Sequence, residues 1–560
     1  VAGPQAKKAA RPGLGNSQSK HPAQPDPHAA IPPPGARLRN KSSRAAAQDL
    51  RSNAPFFPFQ PAYVSGIVKI LLLYPEFPDT FWSFKHALKF IRKKAALPPL
   101  GLLTFAAMLP PAWEKKLVDT NVRALRDRDL AWADVVCISA MIAQQGSATG
   151  LIARCRAAGK TIIAGGPLFT SSHAEFPDVD HFVLNEAEET LPEFLRDFAA
   201  GCARRVYATD TFADLSQTPV PLWELAELSR YGSMSLQFSR GCPFDCEFCD
   251  VTAKFGHRPR LKSAAQVTAE LDRLWAAGWR GSVFFVDDNL IGNKRVLKTE
   301  LLPALIAWQR GRRRGLPFYT EASINLADDA ELMRLMSQAG FDTVFIGIET
   351  PDATSLAECN KRQNQRRDMV ADVKKIQRAG LQVQGGFIVG FDSDLASIFQ
   401  RQVDFIQQSG IVTAMVGLLN ALPDTKLHAR LKREGRLSGQ TTGNNVDGTL
   451  NFLSRMPAAQ LVEGYKSILR RIYAPRPYYQ RVRTFLREYR RPRITESLNW
   501  RHGLALAYSG LRLGVIGRER FQYWRLLSWT LFHRPMQMPL AVTLAIYGHH
   551  FRKCCAAIGV

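Results

Sequence analysis

The sequence predicts an α/β protein in which a Rossmann-like domain precedes a six-unit β/α partial barrel and a helical, basic C-terminal region. Three observations predict it. Short β-branched runs alternate with helical stretches from residue 68 to about 200, the pattern of a parallel sheet covered on both faces. A second alternating run follows from Met234 to Leu419, and β-α units that all cross over in one hand curl into a barrel. Beyond about 457 the strand signal ends and the chain becomes helical, aromatic and basic.

Residues 1–65 contain eleven prolines and few bulky apolar side chains before Phe56, so they are expected to form a disordered leader. Order is expected from Val68, where Val68 to Tyr74 reads as a buried strand stopped by Pro75. The first domain, 66–200, continues with strands at Lys116–Val118, Val135–Ile138, Thr161–Ala164 and His181–Leu184. Helices are expected at Leu100–Leu109, Ser147–Ala158 and Glu186–Phe198. Pro219 and Pro221 mark 201–233 as a linker. The barrel, 234–425, has strands at Met234–Ser239, Val283–Asp287, Phe318–Ile324, Thr343–Glu349, Val383–Phe391 and Val412–Leu419. Amphipathic helices fill the gaps at Ala264–Ala277, Val296–Arg310, Asp329–Ala339, Asp368–Ala379 and Ile398–Gln408, with Gly278, Gly340 and Gly380 as caps. Residues 426–560 form the basic C-terminal region.

The 560 residues are 46% hydrophobic and 22% charged, as in a globular protein of three or four domains. The net charge of +25 is concentrated at the ends: 9 bases against 2 acids in 1–65, and 18 against 4 in 457–560. The middle is close to balanced and is the place to look for chemistry. Nine cysteines in so long a chain make no disulfide framework. The N-terminal stretch lacks the apolar core of a signal peptide, and no uncharged apolar run reaches 18 residues, so a cytoplasmic protein is expected.

Cys242, Cys246 and Cys249 form C-x3-C-x2-C directly after the first barrel strand. Three thiolates on one short loop can hold three corners of a cubane iron–sulfur cluster and leave the fourth iron open to another ligand. A structural zinc site needs four closed ligands, and only His257 stands near. With Phe248 before the last cysteine, the motif resembles the hallmark of the radical S-adenosylmethionine (SAM) superfamily. The resemblance implies a [4Fe-4S] cluster on the three cysteines, SAM chelated to the open iron, and its one-electron cleavage to a radical that abstracts hydrogen. It also implies a reducing partner, a flavodoxin- or ferredoxin-like donor.

Further strand ends fit that resemblance. Asp287 and Asp288 stand where the superfamily meets the SAM amino group, with helix capping as the plain alternative. Glu321 and Ser323 end the third strand, facing ribose or carboxylate. Gly347 and Glu349, in Gly-Ile-Glu-Thr, resemble the adenine and ribose segment, and Gly386 lies in the strand whose backbone approaches adenine.

The first domain resembles the cobalamin-binding domain of the B12-dependent radical SAM class. Asp119-Thr120-Asn121, Ser139-Ala140-Met141 and Gly165-Gly166-Pro167 fall at its landmarks, so Asp119, Asn121, Ser139, Gly165 and Gly166 are the implied cobalamin contacts. No His follows Asp119 in an Asp-x-His-x-x-Gly pattern, so the cobalt is expected to lack a histidine lower ligand. The class's Gly-Glu-x-Glu segment is altered here to Asn185-Glu186-Ala187-Glu188.

Segments between 68 and 490, among them Val344 to Pro351, Leu419 to Pro423 and Asn445-Val446-Asp447, resemble the subgroup that includes hopanoid C-2 methylases. That resemblance implies a methyltransferase moving a methyl group from methylcobalamin to an unactivated carbon of a small or lipid-like substrate. No acid–base pair is required, and no catalytic residue is assigned beyond the ligands. Two other readings stand beside it: a tRNA-modifying methylthiotransferase, and a non-catalytic B12 or iron–sulfur sensor. The former wants a second cysteine set, and Cys137, Cys155 and Cys202 are dispersed.

The arginines from Arg470 to Arg493 read either as a surface for RNA or phospholipid headgroups or as a solvated helix face. The stretch from Tyr508 to Phe551 suits the surface of the inner membrane, with a lipid substrate rather than nucleic acid as the partner.

Overall fold

A computed structural model describes residues 68–560 other than 313, 314, 445, 446, 493 and 495–499. The expected leader 1–65, Asn445 with Val446, and Arg493 lie outside the described residues.

The first sheet contains β1 (Lys69–Tyr74), β2 (Glu114–Asp119), β3 (Val135–Ser139), β4 (Thr161–Gly165), β5 (His181–Val183) and β6 (Val206–Tyr207), in the order β2-β1-β3-β4-β5-β6. Every ladder is parallel. β1 is an unbroken apolar run from Ile70 to Leu73 because both faces are covered there. Ile70 and Leu72 pack with Val135, Cys137 and Ile163 on one side, and Leu71 and Leu73 with Val136, Ile138 and Ile162 on the other. The chain leaves β1 for one edge and returns at β3 on the other side, a reversal of strand order at whose carboxyl ends sheets of this kind take their ligands.

The stretch 201–233, expected to be a linker, instead contributes β6, whose Val206 and Tyr207 pair with Phe182 and Val183. Two residues are too few to display a period. Tertiary bonds fix this strand: the Tyr207 hydroxyl donates to Asp197 Oδ2 at 3.0 Å and accepts the Arg204 N–H at 2.8 Å.

The second domain begins with β7 (Met234–Leu236), then β8 (Ser239–Arg240) and β9 (Arg260–Leu261), a small antiparallel pair. β10 (Val283–Phe285), β11 (Phe318–Glu321), β12 (Phe341–Glu349), β13 (Gln382–Val389) and β14 (Ala414–Leu418) follow. β7 and β10–β14 form an open parallel sheet in consecutive order. The expected strand Met234–Ser239 is broken after Leu236, because the Asp287 carboxylate draws the Phe238 and Ser239 amides out of the ladder. The expected helix Val296–Arg310 is also divided. A π-helical turn, Leu297–Leu301, precedes Leu302–Arg310, where Pro303 lacks the N–H that an unbroken helix would use.

The C-terminal helices share one core with the barrel. Tyr473, ending the helix Ala458–Tyr473, donates its hydroxyl to the Ala414 carbonyl at 2.6 Å. This corrects the reading of the Arg470–Arg493 run as a single exposed face. Arg481 is buried, donating to the Ile472 carbonyl at 3.0 Å and to Gln407, and Tyr478, Tyr479 and Phe485 lie in the core around it. Similarly, the end of the Tyr508–Phe551 stretch belongs to a buried helix, Met538–Ala557, rather than to a surface. Among the described residues no helix is long and apolar enough to cross a membrane.

Candidate active site

The cysteine loop leaves the barrel after β8. Gly241 opens it at φ 98°, and a Cβ there would lie 2.9 Å from the Phe255 and Gly256 carbonyl oxygens, so the turn admits only glycine. The Cys242 N–H donates to the Gly256 carbonyl at 3.3 Å, and the Glu247 N–H to the Cys359 carbonyl at 3.0 Å. On the outer side Arg430 grips both Glu247 carboxylate oxygens, at 2.7 and 3.1 Å, and Asn360 donates to the Asp245 carbonyl at 2.8 Å. The loop is therefore held by its flanks, independently of any metal.

Cys242, Cys246 and Cys249 are unpaired and half-buried. Asn289 Nδ2 lies 3.9 Å from Cys242 Sγ, and Gln363 Nε2 3.7 Å from Cys246 Sγ. Burial pushes the Cys249 thiol up to about 12 and the Cys242 thiol upward, while the Lys361 ammonium opposes both. Among the described residues no three His, Cys, Asp or Glu side chains converge on a single ion position. Three free thiols on one loop, with the Lys361 ammonium beside two of them, are the donor set that a cubane cluster with one open iron takes from a protein. His257 faces Asp245, Nε2 to Oδ1 3.9 Å. Cys137 lies within β3 and Cys155 within a helix, and burial pushes their thiols up to about 12 and about 11.

At the carboxyl ends of the barrel strands the predicted carboxylates divide into two kinds. Asp287 is fully buried and spent on structure, accepting the Phe238 N–H at 3.1 Å and both the N–H and hydroxyl of Ser239. Burial pushes its carboxyl up to about 7. Its neighbour Asp288 is also pushed up by burial, to about 6, and interacts with the Gly241 backbone. Glu321 makes no side-chain hydrogen bond among the described residues. Burial, followed by the charges of Asp288 and Asp287, pushes it up to about 8, with Lys361 opposing. An uncommitted carboxyl in such a place fits the ammonium or hydroxyls of a nucleoside ligand. Ser323 receives no such freedom: its hydroxyl donates to Asn325 Oδ1 at 2.6 Å and its N–H to Asn289 Oδ1 at 3.2 Å.

Glu349 ends β12 at φ 61°, a left-handed conformation uncommon for a residue other than glycine. Its Oε1 accepts from Lys361 Nζ at 2.7 Å. Burial alone would lower the Lys361 ammonium, but Glu349 and the thiols of Cys246 and Cys249 outweigh it and hold the group above its ordinary range. Gly347 makes room for the pair, since a Cβ there would lie 2.2 Å from Glu349 Oε1 and 2.8 Å from Lys361 Nζ. Gly386 instead makes room for the Phe345 ring, 2.8 Å from its would-be Cβ. Phe345 packs against Trp82 at 4.8 Å. Lys361, Asn289 and Trp82 were absent from the sequence-derived site; Lys361 carries no motif, because its partner is brought to it only by the turn after β12.

In the first domain Asp119 and Asn121 serve the fold. Asn121 donates to Asp119 at 2.7 Å and to the Pro75 carbonyl at 3.0 Å, and accepts the Phe77 N–H at 2.9 Å. Asp119 also accepts the Tyr231 hydroxyl at 3.0 Å. Gly165 and Gly166 closely approach their own chain: would-be Cβ atoms lie 2.6 Å from the Val183 carbonyl oxygen and 2.7 Å from Ser139 Oγ. Asn185 has φ 60°, so the altered first position of the Gly-Glu-x-Glu segment keeps the backbone that glycine favours. Its two glutamates reach the second domain. Arg240 donates to Glu186 at 2.8 Å and to Glu188 at 2.7 and 3.1 Å, and Arg260 donates to Glu186 at 2.8 Å.

Residues 236–405 match the model of the radical SAM superfamily, and residues 425–559 that of a domain of unknown function, DUF4070. The sequence is 42% identical over 496 residues to an uncharacterized methyltransferase of Synechocystis, covering 86% of this chain and 91% of the relative. It is 33% identical over 495 residues to the hopanoid C-2 methylase of Rhodopseudomonas palustris, covering 86% and 92%. The solved structure of OxsB, a cobalamin-dependent SAM radical enzyme with aqua-cobalamin and SAM bound, matches with a TM-score of 0.56 at 14% identity, over 88% of this chain and 80% of that one. This last likeness is one of fold.

Proposed function

Since this chain belongs to the radical SAM superfamily, among methyltransferases that include the hopanoid C-2 methylase, we propose that it methylates an unactivated carbon of a small or lipid-like substrate. The observation that carries the proposal is the loop of three free thiols at the head of the barrel, in a chain related to such enzymes over most of its length. When bound, the [4Fe-4S] cluster and SAM supply hydrogen abstraction, and cobalamin supplies the transferable methyl group.

Cys242, Cys246 and Cys249 would hold the cluster, and Lys361 would balance the negative charge that three thiolates bring. Asp288, Glu321 and Glu349 present acceptors to SAM from three adjacent strands, while Gly347 and Gly386 shape the wall. Asp287 positions the start of the cysteine loop. Ser139, Gly165 and Gly166, at the ends of β3 and β4, border the crevice that would receive cobalamin. Asp119 and Asn121 support that border from beneath, and no histidine occupies the β2 turn. A flavodoxin- or ferredoxin-like protein would supply the electrons.

Anaerobic reconstitution with iron, sulfide and cobalamin tests this reading. The bound corrinoid spectrum, with 5′-deoxyadenosine and S-adenosylhomocysteine both formed, is the expected result. Failure to form either product with reductant and SAM, in a protein that has taken up its cluster, would overturn it.

A further inference from the structure

We propose that the paired helical segments Trp500–Ile516 and Arg520–His533 form a docking face for an anionic phospholipid bilayer. The inference does not depend on the reaction proposed above.

The outward pattern of these segments is the reverse of a water-facing helix. Trp500, Leu504, Tyr508, Leu511 and Val515 recur every three or four residues and are exposed, whereas Ala505, Ser509 and Leu513 are buried. The second segment exposes Phe521, Trp524, Leu531 and Phe532 and buries Tyr523, Leu526, Leu527 and Thr530. Phe521 is 73% exposed, Phe532 81% and Met536, just beyond, 71%. The two stripes adjoin. Trp524 Nε1 donates to the Gly514 carbonyl at 2.9 Å, and a Cβ at Gly514 would lie 2.9 Å from the indole, so the second helix rests on the first.

The charge around these stripes is predominantly positive. Arg518, Arg520, Arg525 and Arg534 are exposed, and Arg512 is half-buried. The neighbouring helix Pro475–Glu488 adds Arg483, which feels Arg525, and Arg487, which lies over the Trp529 ring at 5.5 Å. From 500 to 537 the sole acid is Glu519, buried and paired with Arg552 at 2.6 Å. Apolar stripes with cationic borders suit the headgroup–acyl boundary of a bilayer. A second copy would bring the same uncompensated arginines into a symmetric interface. RNA would find few flat rings to stack on among Leu504, Leu511, Val515 and Ile516.

This face also connects to the barrel. Phe90 packs on Tyr508 at 4.7 Å, and earlier in the same segment Trp82 packs on Phe345. Phe345 lies two residues before Gly347 in β12, so residues 82–90 run from the docking face to that strand.

The test is co-sedimentation of the anaerobically purified full chain with vesicles of phosphatidylcholine, alone or mixed with phosphatidylglycerol, at low and high salt. The expected result is binding to the mixed vesicles about tenfold or more tighter than to the neutral ones, weakened by salt. Phe521→Glu with Phe532→Glu should reduce binding to both by tenfold or more, and Arg520→Gln with Arg525→Gln should remove the preference for phosphatidylglycerol. Unchanged circular dichroism and iron content establish that the variants fold; Met536→Glu alone, at a position exposed enough not to disturb packing, provides the second apolar test. The proposal fails if the wild type ignores vesicles or if the apolar variants bind like it. It also fails if an RNA oligonucleotide binds more tightly at equal salt, or if these substitutions convert a dimer to a monomer without affecting vesicle binding.

Discussion

Replacing Arg240 by Met probes how the first domain is fastened to the cysteine loop. Arg240 lies two residues before Cys242 and makes three charge-assisted bonds to Glu186 and Glu188, all three side chains being nearly buried. Met preserves the aliphatic bulk and removes the charge. Arg260 then still reaches Glu186, but Glu188 loses its cation and keeps the Thr218 hydroxyl at 2.9 Å and its own backbone N–H. Stranding a buried carboxylate costs about 3–5 kcal/mol. Because a chain of this size need not unfold in one step, the suitable assay is amide hydrogen exchange at β8 and at residues 186–188. Exchange there should quicken by about two to four decades, at roughly 1.4 kcal/mol per decade. Pairing the change with Glu188→Gln should recover about 1–3 kcal/mol, since no charge is then stranded. The wild-type contribution also has a defined pH dependence. Burial alone would raise the Glu188 carboxyl, but Arg240 outweighs it and holds the group below its ordinary range. The stabilisation is therefore complete above the ordinary carboxylate range and is lost as pH falls through the depressed one; Arg240→Met should abolish that loss. Exchange within tenfold of wild type, or no recovery in the double variant, would refute the assignment.

Alanine at any one of Cys242, Cys246 or Cys249 should abolish stable iron and sulfide retention and with it 5′-deoxyadenosine formation, read by metal analysis and product assay; Cys137→Ala should retain both. Gly347→Ala should displace the Glu349–Lys361 pair, costing about 1–3 kcal/mol and weakening SAM binding, as measured by calorimetry. The matched control is Gly464→Ala, whose Cβ would meet Phe399 at 2.1 Å: it should lower thermal stability while leaving SAM affinity intact in the surviving fold. Asp287 carries a pH signature of opposite sense to Glu188. Its folded carboxyl is raised from 3.8 to about 7, so the stability it lends is present below the unfolded value and lost as pH rises towards 7. The swing is roughly 4 kcal/mol, and Asp287→Asn should remove it from a melting series across that range.

β1, β4 and β10 were legible because each is bounded by a break in period: Pro75 after β1, Gly165-Gly166 after β4, and the Asp-Asp pair after β10. What was not legible depended on distant partners. The Arg470–Arg493 run read as surface because arginine is usually solvated, yet Tyr478, Val482 and Phe485 stand one helical step apart and carry Arg481 inward with them. Attention to that spacing rather than to charge would have placed Arg481 on the inner face. Arg240 and Glu186 are 54 residues apart, and no local pattern announces their contact.

The division between committed and uncommitted carboxylates bears most directly on the site. Asp287 and Asp288 are adjacent and chemically identical, and either could be assigned to a ligand from sequence. In the fold, Asp287 has exhausted its acceptors on Phe238 and Ser239, so its role is to set where the cysteine loop begins. Glu321, which makes no side-chain hydrogen bond among the described residues and is raised by burial and then by its acidic neighbours, retains the capacity to receive a cation. A positively charged ligand entering between Asp288 and Glu321 would relieve their mutual repulsion and lower both pKa values. SAM binding should therefore release protons at neutral pH, measurable as a buffer-dependent calorimetric heat. Glu321→Gln should lose most of that release, whereas Asp287→Asn should leave it in place; the reverse would mean that the committed residue, and not its unpartnered neighbour, faces the ligand.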